Sequence, residues 1–173
     1  ITDLLSLVKM DKKAADMNIV NMNINELLEN ILKRLRPIAD QRSIALILDS
    51  FRPVTADVDE VKFTLAISNL VENGIKYNVD EGWVRVTLDA DYKYFYVTVA
   101  DSGLGIPEDS IERIFERFYR VDKSHSREIG GTGLGLAITR SSIVMHHGTI
   151  KVSSKEGEGT TFNVKIPLSY ISS

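Results

Sequence analysis

Three glycine clusters stand far apart in this chain: Asp101-Ser-Gly-Leu-Gly105, Gly130-Gly-Thr-Gly-Leu-Gly135 and Gly157-Glu-Gly-Thr160. Glycine accepts positive φ and lets a ligand approach main-chain N–H groups closely. The second cluster runs straight into an apolar, helix-like segment. Its free N–H groups and the positive end of the helix dipole can therefore cradle phosphate. Any one cluster alone is also what an ordinary turn looks like. A fourth element is Asn69-Leu-Val-Glu-Asn73-Gly-Ile-Lys76-Tyr77. Asn69, Asn73, Lys76 and Tyr77 are spaced to share one helix face. Asn is a mediocre helix former, because its side chain competes for backbone hydrogen bonds. Two of them one turn apart need a reason. Oxygen ligands suit Mg²⁺, which keeps several waters and binds through phosphates, and Lys76 can neutralise phosphate charge. A polar, solvated helix face is the competing account.

Elements must hold these residues together. The apolar spacing predicts a helix over Ile1–Lys13 with Ile1, Leu4, Leu5 and Val8 as its stripe. A strand is expected over Asn18–Ile24, then a helix capped by Asn25 with Leu27, Leu28, Ile31, Leu32 and Leu35 on one face. Pro37 should kink or reset that helix. Ile44–Leu48 reads as a short buried strand. Asp57 and Glu60 form a capping-box pattern opening a helix to about Tyr77, with Val61, Leu65, Ile67, Leu70 and Val71 in the core. Trp83–Asp89 and Tyr94–Ala100 alternate as strands. A short helix is expected over about Glu108–Phe118, and another from Leu134 to about His146, stopped by Gly148. Thr149–Ser153 and Thr161–Ile166 close the chain as a hairpin. The sum is an α/β two-layer sandwich, a mixed and mostly antiparallel sheet with helices on one face.

Composition narrows the chemistry. The 21 basic and 24 acidic residues give a formal charge of -3, which offers no support for a nucleic-acid or anionic-membrane binder. With no cysteine, disulfides, thiolate zinc sites and a cysteine nucleophile all drop out. No apolar run approaches the roughly 18 residues of a spanning helix. The chain starts at Ile1 without signal-peptide character, which predicts a segment of a longer protein. No G-x-x-x-x-G-K-[ST] P-loop, no H-R-D or D-F-G pair and no Rossmann-type glycine motif is present.

In order and spacing, the asparagine helix, the glycine clusters and Phe115-Glu-Arg-Phe-Tyr-Arg120 resemble the N, glycine and F boxes of the histidine kinase ATPase domain. That family belongs with the gyrase, Hsp90 and MutL ATPases. The resemblance covers roughly Asn25 to Leu168 and implies the Bergerat ATP-binding fold, with ATP and Mg²⁺ as ligands. By this resemblance Asp101 accepts a hydrogen bond from the adenine amino group, and Thr160 acts beside it, often through water. Gly103, Gly105 and Ile106 lie along the base and ribose. Asn73 is the Mg²⁺ ligand, with Asn69 supporting metal or phosphate. Lys76 and Tyr77 contact phosphate and nucleotide, and Gly131, Thr132, Gly133, Leu134 and Gly135 line the phosphates. Arg120 reaches the γ-phosphate, with Lys76 the second residue implied in catalysis. Val121–Gly131 is similar to the lid over ATP.

The resemblance further implies that residues 1–17 end a helical phosphoacceptor bundle and that 18–173 form the catalytic domain. The reaction it implies is transfer of the γ-phosphoryl group to a histidine on that bundle, the first step of two-component signalling. The family's phosphoacceptor block is absent: none of His125, His146 and His147 has its context. His146 and His147, at a helix end, suit the helix dipole. Implied partners are the bundle domain and, through the full-length kinase, a response regulator. A monomeric fragment of a homodimeric, membrane-anchored sensor with this domain in the cytoplasm is expected. A related ATPase or anti-sigma-type protein-serine kinase is an alternative, against which the leading helical stripe and intact F-box block argue. A non-catalytic nucleotide-binding module is another, which degenerate boxes would favour.

Overall fold

The computed structural model describes residues 17–116 and 135–171. The stripe expected over Ile1–Lys13, the F-box residues after Glu116, the lid segment and the second glycine cluster up to Leu134 lie outside the described residues.

The chain opens with strand β1 (Ile19–Asn23) and helix α1 (Ile24–Asp40). Asn23, not Asn25, caps α1: its side-chain oxygen accepts the Glu26 N–H at 3.1 Å. Asn25 sits inside the first turn and accepts the Val54 N–H at 2.7 Å, tying a distant loop to the helix start. Leu27, Leu28, Ile31, Leu32 and Leu35 are all buried as the stripe requires. Pro37 does not end the helix, which continues to Asp40 with Ala39 buried.

Strands β2 (Ala45–Ser50) and β3 (Thr55–Asp59) follow. β3 pairs antiparallel with β1, from Ile19 opposite Asp59 to Asn23 opposite Thr55. This ribbon corrects the expected capping box. Asp57 belongs to β3, where its carboxylate accepts from Asn21 and from the Tyr170 N–H, both at 3.0 Å. Because pairing keeps the backbone extended through Asp59, that residue caps helix α2 (Glu60–Lys76) by accepting the Lys62 N–H at 3.0 Å. The later start fixes the inward face as Phe63, Ala66, Ile67, Leu70, Val71 and Ile75. Val61, expected in the core, is 76% exposed. Leu65, also expected there, is only partly buried and packs in a small cluster with Ile138.

Strands β4 (Trp83–Ala90) and β5 (Tyr94–Asp101), a 3-10 turn at Ile111–Arg113, helix α3 (Gly135–Met145) and strands β6 (Thr149–Lys155) and β7 (Gly159–Pro167) complete the described elements. The main sheet runs β2-β4-β5-β7-β6. Only β2 and β4 are parallel among its pairings. Inward residues Val84, Val86, Leu88, Phe95, Val97, Val99, Phe162, Val164 and Ile166 are buried, giving the period-2 pattern of a sheet covered on one face. The short buried strand expected at Ile44–Leu48 is the edge strand β2, shifted to Ala45–Ser50, with Ile44 just before it and Leu46 buried and Leu48 packed against the core. The helix expected from about Glu108 is, within the described residues, only the short 3-10 turn. α3 ends on His147 rather than on Gly148. His147 takes φ 63°, its N–H donates to Val144 O at 2.9 Å, and the Gly148 N–H donates to Ile143 O at 2.9 Å. That is the Schellman pattern.

Candidate functional site

β5 delivers the central acid. In the sheet register Asp101 lies opposite Thr160 on β7, and Thr160 lies opposite Ser154 on β6. Partners opposite one another project from the same face, so the three side chains form a row across three strands at one end of the sheet. Asp101 Oδ1 accepts the Gly103 N–H at 2.8 Å and the Thr160 N–H at 3.3 Å. Among the described residues nothing donates to Oδ2. Burial pushes the carboxyl up to about 6, although the two N–H groups pull it down. One oxygen is thus spent on holding the loop, and the other is left to accept from a ligand.

The first and third glycine clusters close around this acid. The Leu104 N–H donates to Tyr77 O at 2.9 Å, and the Gly157 N–H donates to Leu104 O at 2.7 Å. The first cluster is therefore pinned between the end of α2 and the third cluster. Gly159 has φ 116°, and a Cβ there would overlap the Asp101 carbonyl oxygen. Gly105, at φ 74°, would meet the Lys155 carbonyl in the same way. Both sites admit no side chain. The Ile106 N–H donates to Ser154 Oγ at 2.8 Å, and the Ile106 side chain packs on the core.

α2 brings the polar face. Asn69, Asn73 and Lys76 are half-buried on it, and Tyr77 is exposed at its end. Asn69 Nδ2 donates to Gly135 O at 3.2 Å, which leaves its side-chain oxygen for a ligand and ties the second cluster's last glycine to this helix. The structure thus joins Asn69 to Gly135 at one point and Asp101, Gly103, Gly105, Ile106, Thr160 and the Tyr77 carbonyl at another, with Asn73 and Lys76 between them along α2. Arg120, Gly131, Thr132, Gly133 and Leu134 lie outside the described residues.

Several residues that hold the site went unseen in the sequence. Arg42, between α1 and β2, donates to Ile75 O at 2.6 Å and Lys76 O at 2.7 Å, capping the end of α2. Asn78 is buried and donates to Gly74 O at 2.9 Å and Trp83 O at 3.0 Å. α3 grips α2 at three levels. Thr139 Oγ1 lies 3.3 Å from Ala66 O, Ser142 Oγ donates to Lys62 O at 2.7 Å, and His146 Nε2 accepts the Asp59 N–H at 3.0 Å. His146 Nδ1 contacts Ser142 O at 2.7 Å. With Nε2 accepting, Nδ1 must carry the proton, so the ring is neutral. Its burial lowers its pKa, which corrects the reading of His146 as a cation meeting the helix dipole. The buried polar residues of α3 carried a signal, since Thr139, Ser142 and His146 recur at helical spacing. Ser154 showed one only through strand counting back from Gly157.

Among the described residues no three His, Asp or Glu converge on a metal position. No helix among them is long and apolar enough to cross a membrane.

Comparison with known proteins agrees with this geometry. A family model described as histidine kinase-, DNA gyrase B-, and HSP90-like ATPase matches residues 58–170. The sensor histidine kinase WalK of Bacillus subtilis is 35% identical over 169 residues, covering 96% of this chain. The chain spans only 28% of that relative's length. Among solved structures, the catalytic domain of the histidine kinase ThkA superposes with TM-score 0.78 at 28% identity, over 88% of this chain and 99% of that one. Full-length ShkA in complex with AMPPNP superposes with TM-score 0.85 at 26% identity, over 99% of this chain and 35% of that one.

Proposed function

The chain belongs to the histidine kinase-, DNA gyrase B- and HSP90-like ATPase family, as a catalytic ATPase domain of the sensor histidine kinase type, and we propose that it passes the γ-phosphoryl group of ATP to a histidine on an adjoining helical domain. The observation that carries this reading is the divided Asp101 carboxylate. One oxygen is held by two backbone N–H groups, and the other is open beside Thr160, where the first and third glycine clusters meet near the end of α2.

In this reading Asp101 Oδ2 accepts from the 6-amino group of adenine, and the N–H groups leading into α3 receive the phosphates. Asn73, with Asn69 in support, would hold Mg²⁺. Carboxamide oxygens without a cluster of acids fit a cation that retains water and bridges phosphates. When bound there, the metal would supply neutralisation of phosphate charge. Lys76 adds a positive charge from α2, and Tyr77 lies against the nucleotide. Arg120 neutralises charge developing on the γ-phosphoryl group as its bond to the β-phosphate oxygen breaks and a bond to imidazole nitrogen forms. The acceptor histidine belongs to a bundle domain, and a response regulator receives the group next. Residues 1–17 are the end of that bundle and its linker in this reading, and the whole is a cytoplasmic portion of a homodimeric sensor.

Incubated alone with labelled ATP, the chain should acquire essentially no acid-labile phosphate. Mixed with its own bundle domain, it should label that domain on histidine. Labelling of the isolated chain at His125, His146 or His147 would overturn the separation of catalytic and acceptor domains. Phosphoserine on the reunited domains would instead point to a protein-serine kinase.

A further inference from the structure

Ser154 makes three polar contacts with one hydroxyl. Its oxygen accepts the Ile106 N–H at 2.8 Å, its proton goes to Gly159 O at 2.9 Å, and it lies 2.8 Å from Thr160 Oγ1. A serine hydroxyl has one proton and two lone pairs. The proton and one lone pair are committed. What remains toward Thr160 is a lone pair, so Thr160 must donate to Ser154. Thr160 has no second proton. Toward the ligand space it therefore presents lone pairs only.

The neighbour in the row completes the pattern. Asp101 has Oδ1 occupied by the N–H groups of Gly103 and Thr160, and Oδ2 remains as an acceptor. Thr160 Oγ1 and Asp101 Oδ2 thus line one end of the site with acceptors and no side-chain donor. Such an end welcomes an amino group, or a water that donates to both oxygens. It offers nothing to a carbonyl oxygen, whose lone pairs would face lone pairs at the cost of an unmade hydrogen bond. A threonine free to rotate would lack this sign, because it could turn its proton toward either ligand.

We propose that Ser154 is a specificity-determining residue. By fixing the Thr160 hydroxyl as an acceptor, it sharpens the choice of a 6-amino over a 6-oxo purine nucleotide. Asp101 sets the main preference, and Ser154 removes an escape by which the neighbouring hydroxyl would otherwise accommodate the wrong base. Ser154 lies on the strand behind Thr160 and acts through it. The inference rests on the base-recognition reading of Asp101 given above.

The test is the ratio of ATP to inosine triphosphate affinity, measured by titration calorimetry on the whole chain. Ser154→Ala should lower that ratio about three- to tenfold, the scale of one neutral hydrogen bond. Ser154→Cys, close in size but a poor hydrogen-bonding partner, should do the same and covers the case in which the alanine variant fails to fold. Thr160→Val has no proton to redirect. In the Thr160→Val background, Ser154→Ala should leave the ratio unchanged. A purely structural role would weaken both nucleotides alike and keep the ratio, which overturns the proposal. So would an equal fall of the ratio with and without the Thr160 hydroxyl. If the parent chain itself shows no preference for ATP, the Asp101 reading fails first, and that outcome is visible before any variant is made.

Discussion

His146 Nε2 accepts the backbone N–H of Asp59 at 3.0 Å, joining the end of α3 to the start of α2. Protonating this ring would set an Nε2–H against the Asp59 N–H, two donors face to face. Burial opposes the cation as well and lowers the pKa below its ordinary value of 6.5, outweighing the Ser142 carbonyl and the nearby Asp59 carboxylate, both of which favour it. Lys62 and His147 close by also disfavour the cation. The unfolded chain therefore binds the proton more readily than the folded one. The stability contributed by His146 should be complete above about pH 6.5 and fall as the pH drops below it. Asp59 titrates in a separate, more acid window. Burial raises its carboxyl, but the Lys62 and Asn18 N–H groups and the Lys62 ammonium together bring it below 3.8. His146→Ala should cost about 2–4 kcal/mol at pH 7.5, from a lost ring and an orphaned N–H. Urea denaturation between pH 5 and 8 should show the parent losing stability toward acid and the variant losing less. Parallel curves would rule the neutral-ring account out.

Asp101 pulls stability and function in opposite directions. Its folded value of about 6 lies above the ordinary 3.8, so the folded state binds the proton more readily between these values. The unfavourable contribution is present in full above about pH 6 and is relieved as the pH falls through it. Asp101→Asn should therefore raise the melting temperature of the nucleotide-free chain at pH 7.5, by a few degrees if about 1 kcal/mol is recovered. The same change should weaken ATP by about 1.5–3 kcal/mol, the scale of a hydrogen bond to a charged group. Calorimetry returning equal ATP affinities would remove Asp101 from base recognition.

Arg42 holds the end of α2 that carries Lys76 and Tyr77. Its guanidinium fork spreads over three carbonyls, Nη1 donating to Ile75 O and Lys76 O and Nη2 to Asn78 O, a spread that a single ammonium nitrogen cannot reproduce. Arg42→Ala should cost about 1.5–3 kcal/mol, and Arg42→Lys should recover only part of that. The ion pair of Arg42 with Asp80 is a different matter, because the Asp80 side chain is 81% exposed. Asp80→Ala should change stability by less than about 0.5 kcal/mol. Denaturant midpoints for the three variants check the ranking, and a large Asp80 effect would contradict it.

Binding and transfer should separate by residue. Arg120→Ala should lower phosphotransfer to the bundle domain about a hundredfold or more while nucleotide affinity changes little. Asn73→Ala should weaken both, since a metal held by Asn73 would neutralise phosphate charge in the ground state too. Single-turnover labelling beside equilibrium titration distinguishes the two. Equal losses of affinity and rate for Arg120→Ala would reassign it to ground-state binding.

The residues proposed for the site stand out in the sequence because their types carry the signal. A glycine required by a crowded backbone, or an asparagine pair on a helix face, stands out from its neighbours alone. The α1 core face was legible for the same reason, since its period repeats over several turns. The caps were each placed two residues off, at Asn25 and Asp57 instead of Asn23 and Asp59. Thr55–Asp59 has no apolar run of its own and becomes a strand only because β1 lies beside it. Tertiary pairing overrode local propensity there. The partnerships of Ser154 with Thr160 and of His146 with Asp59 depend on register, which no local pattern encodes.

The grip of α3 on α2 divides the freedom to vary unequally between the two helices. Thr139, Ser142 and His146 act with their side chains, but what they reach are the Ala66 and Lys62 carbonyls and the Asp59 N–H, with Thr139 sharing its one proton between Ala66 O and the nearer Gly135 O of its own helix. Main-chain atoms are the same whatever residue bears them. Positions 62 and 66 of α2 can therefore drift within the limits of packing and still be held. Positions 139, 142 and 146 of α3 have no such latitude, because there the side chain itself is the handle.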